Sequence, residues 1–159
     1  MMIKTVSSAA APKFGCCVQA DVRRVVEMSN IQHFQEMCPF CRDEIKSGVV
    51  AENDSAIAIR DKYPVTDYHT LVISRRHTLD YFSLTPGERR DAEELILSLK
   101  EDILKQDPGV NGFNIGMNCG ESAGQTINHA HIHLIPRRDG DIPNPRGGVR
   151  GVIPGKMAY

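Results

Sequence analysis

NHAHIHLIPRR, residues 128–138, places three of the chain's six histidines, His129, His131 and His133, at alternate positions. In an extended strand successive side chains point to opposite faces, so this spacing predicts a strand over 129–136 with three imidazoles on one face. Ala130, Ile132 and Leu134 then point the other way, as a buried sheet face requires. Three neighbouring imidazoles need partners or ligands, because their charged forms repel one another and burial opposes charge.

Working outward, NCGESAGQT (118–126) reads as a glycine-containing loop and GFNIGMN (112–118) as the strand before it. Further upstream, SLTPGERRDAEELILSLKEDILKQDPG gives the clearest helix signal. Thr85 is placed as N-cap, Pro86 as first helical residue and Glu88 as the second half of a capping box. Ala92, Leu95, Ile96, Leu99 and Ile103 form one apolar stripe, and Pro108-Gly109 ends it. VVAEN (49–53), AIAIRD (56–61) and HTLVIS (69–74) read as short strands. Strands, one long helix, then two more strands predict an α+β fold with a mainly antiparallel sheet.

A chain of 159 residues is long enough for one domain with a sizeable core. Its net charge of −1 gives no general attraction to nucleic acid or membrane, and no apolar run reaches the length of a span. Five cysteines, an odd number without a regular framework, point to a reducing compartment, and we expect a cytoplasmic protein. Residues 1–30 lack the apolar stretch of a secretory signal and are expected to form a flexible extension. The domain is expected over 31–138, followed by a Gly/Pro/Arg-rich tail over 139–159.

Two chemistries suit the triple histidine: a metal cluster, or a nucleophilic imidazole flanked by two helpers. The loop upstream favours the second, since glycine turns can aim backbone N–H groups at an anion. CPFC, Cys38 to Cys41, has three readings: half of a tetrahedral zinc site, two spare reduced thiols, or a redox pair. The tail has two. Arg137, Arg138, Arg146 and Arg150 either reach substrate phosphates or belong to a solvated chain end.

GQTINHAHIHLIPR resembles the signature of the histidine triad (HIT) superfamily, and YPVTDYHTLVISRRH resembles that superfamily's upstream Pro/His segment. The likeness runs over roughly residues 38 to 138, with two separated motifs in the expected order. It is closest in kind to the Hint- and Fhit-like hydrolases of bacterial type that carry a Cys-x-x-Cys zinc site. It implies a HIT fold: a five-stranded, mainly antiparallel sheet with one long and one short helix, working as a homodimer.

The implied reaction cleaves a purine nucleotide of the AMP type at its α-phosphorus, through a covalent nucleotidyl-histidine, with no organic cofactor. His131 would be the nucleophile, His133 would contact phosphate oxygens, and His69 would lie beside them. Asp61, eight residues before His69, would hold the ribose, with Asn118, Gln125 and Thr126 near the phosphates. Histidine at 133 matches the hydrolases, since family transferases tend to carry glutamine there. The zinc set implied by resemblance is Cys38, Cys41, His77 and His129. The rival reading is a zinc-stabilised nucleotide-binding regulatory module with little turnover.

Overall fold

The computed structural model describes residues 37–157. The expectation for residues 1–30, together with Cys16, Cys17 and His33, lies outside them. Five strands form one sheet: β1 Val49–Glu52, β2 Ala56–Arg60, β3 Thr70–Ser74, β4 Val110–Gly116 and β5 His131–Arg138. Their order is β1-β2-β3-β5-β4, and every neighbouring pair is antiparallel. One long helix, α1 (Pro86–Gln106), crosses from β3 to β4. Between Cys38 and Met157 the other helical pieces are short 3-10 turns, at Asp43–Gly48, Tyr81–Ser83, Glu121–Ala123 and Gly148–Val152.

Two of the sequence-predicted boundaries move. The final strand starts at His131 rather than His129 and continues to Arg138, while β4 starts at Val110, before Gly112. His129 therefore stands just outside the ladder. Its ring has a different destination from the rings of His131 and His133.

The period of two sorts the sheet's residues between its faces. On one face Ala58, Val72, Ile132 and Leu134 pack against Ala92, Leu95, Ile96, Leu99 and Ile103 of α1, the stripe expected from sequence. On the other, Ile57, Leu71 and Ile73 are buried beneath half-buried Phe40, Ile45, Val49 and Ile59. His131 pairs with Ile73 and His133 with Leu71 across the β3–β5 ladder, so both imidazoles belong to this second face. Burying the first face, at about 25 cal/mol per Å² of apolar area, is what commits the histidines to the second.

The helix begins where its capping chemistry requires. Thr85 Oγ1 accepts from the Glu88 N–H at 3.2 Å, and the Glu88 carboxylate accepts from the Thr85 N–H at 2.8 Å. Glu88 also takes two bonds from Arg76, at 2.7 and 2.8 Å, which ties the helix start to the end of β3. The Arg76 guanidinium, with help from the cap, draws the Glu88 carboxyl from 4.5 down to about 2. Because its folded-state pKa is depressed, Glu88 stabilises the fold fully above the ordinary carboxyl range. That contribution is lost as pH falls from about 4.5 towards 2. Urea unfolding of wild type and Glu88→Gln should differ by a constant amount from pH 6 to 8, about 1–2 kcal/mol for a charged hydrogen bond, and the two should converge in acid.

Candidate functional site

His131, His133, His69 and Asp61 meet on the open face of the sheet. His131 Nδ1 donates to the main-chain oxygen of His129 at 2.6 Å. The proton is thereby held on Nδ1, and Nε2 is left as the lone-pair nitrogen of the neutral ring. The ring of His131 lies 5.3 Å from that of His133 and 5.2 Å from Phe40, edge-on to both.

A second chain of bonds has a direction. The Val65 N–H donates to His69 Nδ1 at 3.3 Å, which makes Nε2 the donor nitrogen of His69. His69 Nε2 then donates to His133 Nδ1 at 3.0 Å. His133 is left with its proton on Nε2, as an outward donor. Burial holds both rings below the ordinary histidine range, in His133 assisted by the neighbouring His131 and His69, while Asp61 pulls the other way. Both are neutral donors at pH 7.

Asp61 Oδ2 lies 3.5 Å from His69 Nδ1 and 4.0 Å from His133 Nδ1. Its other oxygen accepts from the Tyr63 N–H at 2.8 Å. Beside it opens a pocket of about 360 Å³ lined by Arg60, Asp61, Pro64, Asp67, Tyr68 and His69. Tyr68, at φ 66, is the one non-glycine residue with positive φ among the described residues. This unfavourable turn lies immediately before His69, and the Arg60 guanidinium sits 5.0 Å above the Tyr68 ring.

The glycine loop contributes differently from expectation. Gly120 and Gly124 do adopt positive φ, 87 and 83. Yet the amides of Gly120, Ala123, Gly124 and Gln125 all bond within the loop. Gln125 is buried and serves as its brace: Oε1 accepts from Gly120 at 2.7 Å, while Nε2 donates to Leu79 and Ile127 oxygens at 2.7 and 3.1 Å. Asn118 Nδ2 reaches the Gly124 oxygen at 3.3 Å, and Thr126 is exposed.

Two tail arginines have carboxylate partners within the fold. Arg137 pairs with Asp141 through two bonds of 2.7 Å and also reaches Asn114, and Arg138 pairs with Asp107 at 2.5 and 3.0 Å. Both were candidates for substrate contact. The fold places a carboxylate within reach of each, a pairing that sequence spacing conceals. The tail itself closes where the Gly147 Cα lies so near the Met157 carbonyl that a Cβ would fall 1.7 Å from its oxygen.

Cys38, Cys41, His77 and His129 form a second cluster, with all four ligand atoms within 4.8 Å of one another. Cys38 Sγ is 3.4 Å and Cys41 Sγ 3.5 Å from His129 Nδ1, and Cys41 Sγ is 3.2 Å from His77 Nδ1. A tetrahedral zinc ion with ordinary Zn–S and Zn–N bonds would separate S from N by about 3.6 Å, so the set is close to a binding geometry. His129 Nε2 donates to the Ser74 oxygen at 2.7 Å, the outer bond expected of a metal-ligating imidazole. Burial holds His129 down to about 4 and raises Cys41 to about 12. The imidazole is therefore ready to bind a cation, and the thiol would release its proton to one. The thiol–imidazole spacing fits a metal, and a two-cysteine redox pair does not explain it.

The sequence profile of the HIT domain matches residues 42–140. An uncharacterized HIT-like protein of Mycoplasma genitalium is 38% identical over 103 residues, 63% of this chain and 72% of its own. The adenylylsulfatase HINT3 of Arabidopsis thaliana is 33% identical over 118 residues, 73% of this chain and 58% of its own. The crystal structure of a zinc-bound histidine triad family protein from Mycobacterium smegmatis superposes with a TM-score of 0.61 at 31% identity, covering 69% of this chain and 81% of that one.

Zinc titrated into the metal-free protein is expected to saturate at one tight equivalent per chain. Cys41→Ser should weaken it by about 10-fold or more. Equal affinity in wild type and Cys41→Ser would place the metal elsewhere.

Proposed function

This chain belongs to the HIT domain family, and from that premise we propose that it hydrolyses a nucleotide at the α-phosphorus through a nucleotidyl-His131 intermediate. The supporting observation is the 2.6 Å bond from His131 Nδ1 to the His129 oxygen, which leaves the lone pair on Nε2. Attack by Nε2 forms the N–P bond, and the bond from phosphorus to the leaving group breaks with its electron pair. The imidazolium that develops keeps its Nδ1 proton against a carbonyl oxygen, a charge-assisted bond stronger than the neutral one. Water then attacks the same phosphorus, the N–P bond breaks, and a nucleoside monophosphate leaves.

The other roles follow from the directed hydrogen bonds. His133 Nε2–H donates to a phosphoryl oxygen, and His69 holds it in that tautomer. Asp61 has lone pairs left for two ribose hydroxyls. A purine base of the AMP type would rest on half-buried Phe40, Ile45, Val49 and Ile59, the apolar cluster on the same face. Asn118 and Thr126 flank the phosphates, while Gln125 acts through the loop it braces.

The leaving group is an amine or the second nucleotide of a dinucleoside polyphosphate. The name of the Arabidopsis relative adds adenylyl sulfate to the compounds worth assaying. Zinc at Cys38, Cys41, His77 and His129 would hold the CPFC turn to β3 and β5. β4 is an edge strand with Ile115 exposed, and two copies paired along it would give the homodimer we propose.

His131→Ala should lower turnover by about 10³-fold or more while nucleotide still binds. Rapid denaturation at alkaline pH, where an N–P bond survives, should trap a nucleotidyl adduct on wild-type His131. Tight binding with neither adduct nor product would establish the regulatory module instead. Competition binding should show Asp61→Ala weakening ribonucleotides more than 2′-deoxy analogues, by about 1–3 kcal/mol; equal losses would remove the ribose role.

A further inference from the structure

His129 belongs to both clusters at once. Its ring stands among Cys38, Cys41 and His77, and its carbonyl receives the Nδ1 proton of His131. Residue 129 precedes the first ladder residue of β5, so no regular strand pairing aims that carbonyl. What holds it is irregular: its own N–H turns back to the Ile127 oxygen at 2.8 Å, and the next N–H, of Ala130, donates to Thr78 at 2.7 Å. The strongest anchor is the side chain, clamped between two sulfurs on Nδ1 and the Ser74 oxygen on Nε2.

A second link runs through the CPFC turn. Cys41 N–H donates to the Cys38 oxygen at 3.1 Å, and the tight turn between them presents Phe40. That ring lies edge-on 5.9 Å from His129 and 5.2 Å from His131. Drawing the two sulfurs to a common ion therefore also seats Phe40 against the imidazole that performs the chemistry.

We propose that the four-ligand cluster is a positioning device for His131: a metal held by Cys38, Cys41, His77 and His129 fixes the residue 129 carbonyl and Phe40, and so selects the Nδ1–H tautomer and the orientation of the ring. The donor set fits such an ion by its thiolate and imidazole chemistry and by its spacing. Its contribution would be geometric, since the link from the cluster to His131 runs through the residue 129 carbonyl and the Phe40 ring. His129, Phe40 and the cysteines are positioning residues. The inference takes His131 as the attacking residue from the function proposed above, but the link itself concerns hydrogen-bond geometry and is measurable without turnover.

The test compares zinc-loaded and chelator-stripped full-length protein labelled with ¹⁵N, at one fixed neutral pH. Two-bond ¹H–¹⁵N correlations report which nitrogen of His131 carries the proton, and amide dispersion reports that the fold persists. The loaded protein should show the Nδ1–H form alone, and the stripped protein a mixture with Nε2–H. His77→Ala, which alters neither residue 129 nor Phe40, should lose the metal and reproduce the mixture, and His77→Cys should restore both. With a phosphoramidate substrate, kcat should fall about 10-fold or more in His77→Ala while KM stays within about 3-fold.

A folded, metal-free sample of either kind that keeps the Nδ1–H form overturns the proposal. Should stripping unfold the protein, folded His77→Ala shown to be metal-free decides by the same readout. A tautomer change in a protein that turns over no nucleotide would uphold this link and sink the hydrolase reading.

Discussion

Leu134 is fully buried where β5 meets the long helix, and Ile132 packs against the same cluster. In a strand the burial of one set of alternate residues dictates the exposure of the other, and a slip of one position would turn every side chain over. The apolar contact with α1 therefore decides that His131 and His133 take the opposite face of the sheet. β5 lies between β3 and β4, held by ladders on both sides, so His131 and His133 stand on one of the best-supported strands of the sheet. The histidine face inherits its register from the core on the other side of the sheet.

Burial on this scale would be costly if the imidazoles were charged, and the structure avoids that cost by giving each ring a defined donor and acceptor side. One series runs from Val65 through His69 to His133; another fixes His131 on a carbonyl. His129 turns its lone pair to two thiols and its proton to Ser74. Three rings from one short motif are thus held by three different sets of hydrogen-bond partners.

Much of this was legible from alternation and capping. The α1 stripe, the capping box of Thr85 and Glu88, and the five strands follow from local rules, because each depends on neighbours in the chain. The family resemblance carried the grouping of Cys38, Cys41, His77 and His129, which no local rule brings together. Other features depend on distant partners. Arg137 and Arg138 read either as phosphate contacts or as part of a solvated tail, and their pairing with Asp141 and Asp107 was not legible. Gln125 was expected near the phosphates, and the hydrogen bond of its amide to the Leu79 oxygen was not legible either. Phe40 carried no sequence signal of its own, and its contact with His131 arises only when the CPFC turn folds onto β5. The departure of His129 from the strand is of the same kind: its ring is drawn towards sulfurs 91 and 88 positions away in the chain.

The two free edges of the sheet are unequal. β1 has four residues and a register break between Val49 and Ala51, while β4 has seven, with its break confined to Val110 and Gly112 at one end. Endless growth into a fibre would require β1 of one molecule to lie along β4 of the next, repeating head to tail. A short, kinked ribbon is a poor template for that ladder, whereas two copies meeting β4 to β4 consume both long edges and stop. The register break in β1 thus makes that edge a poor template for a further strand, which disfavours open-ended growth of the sheet.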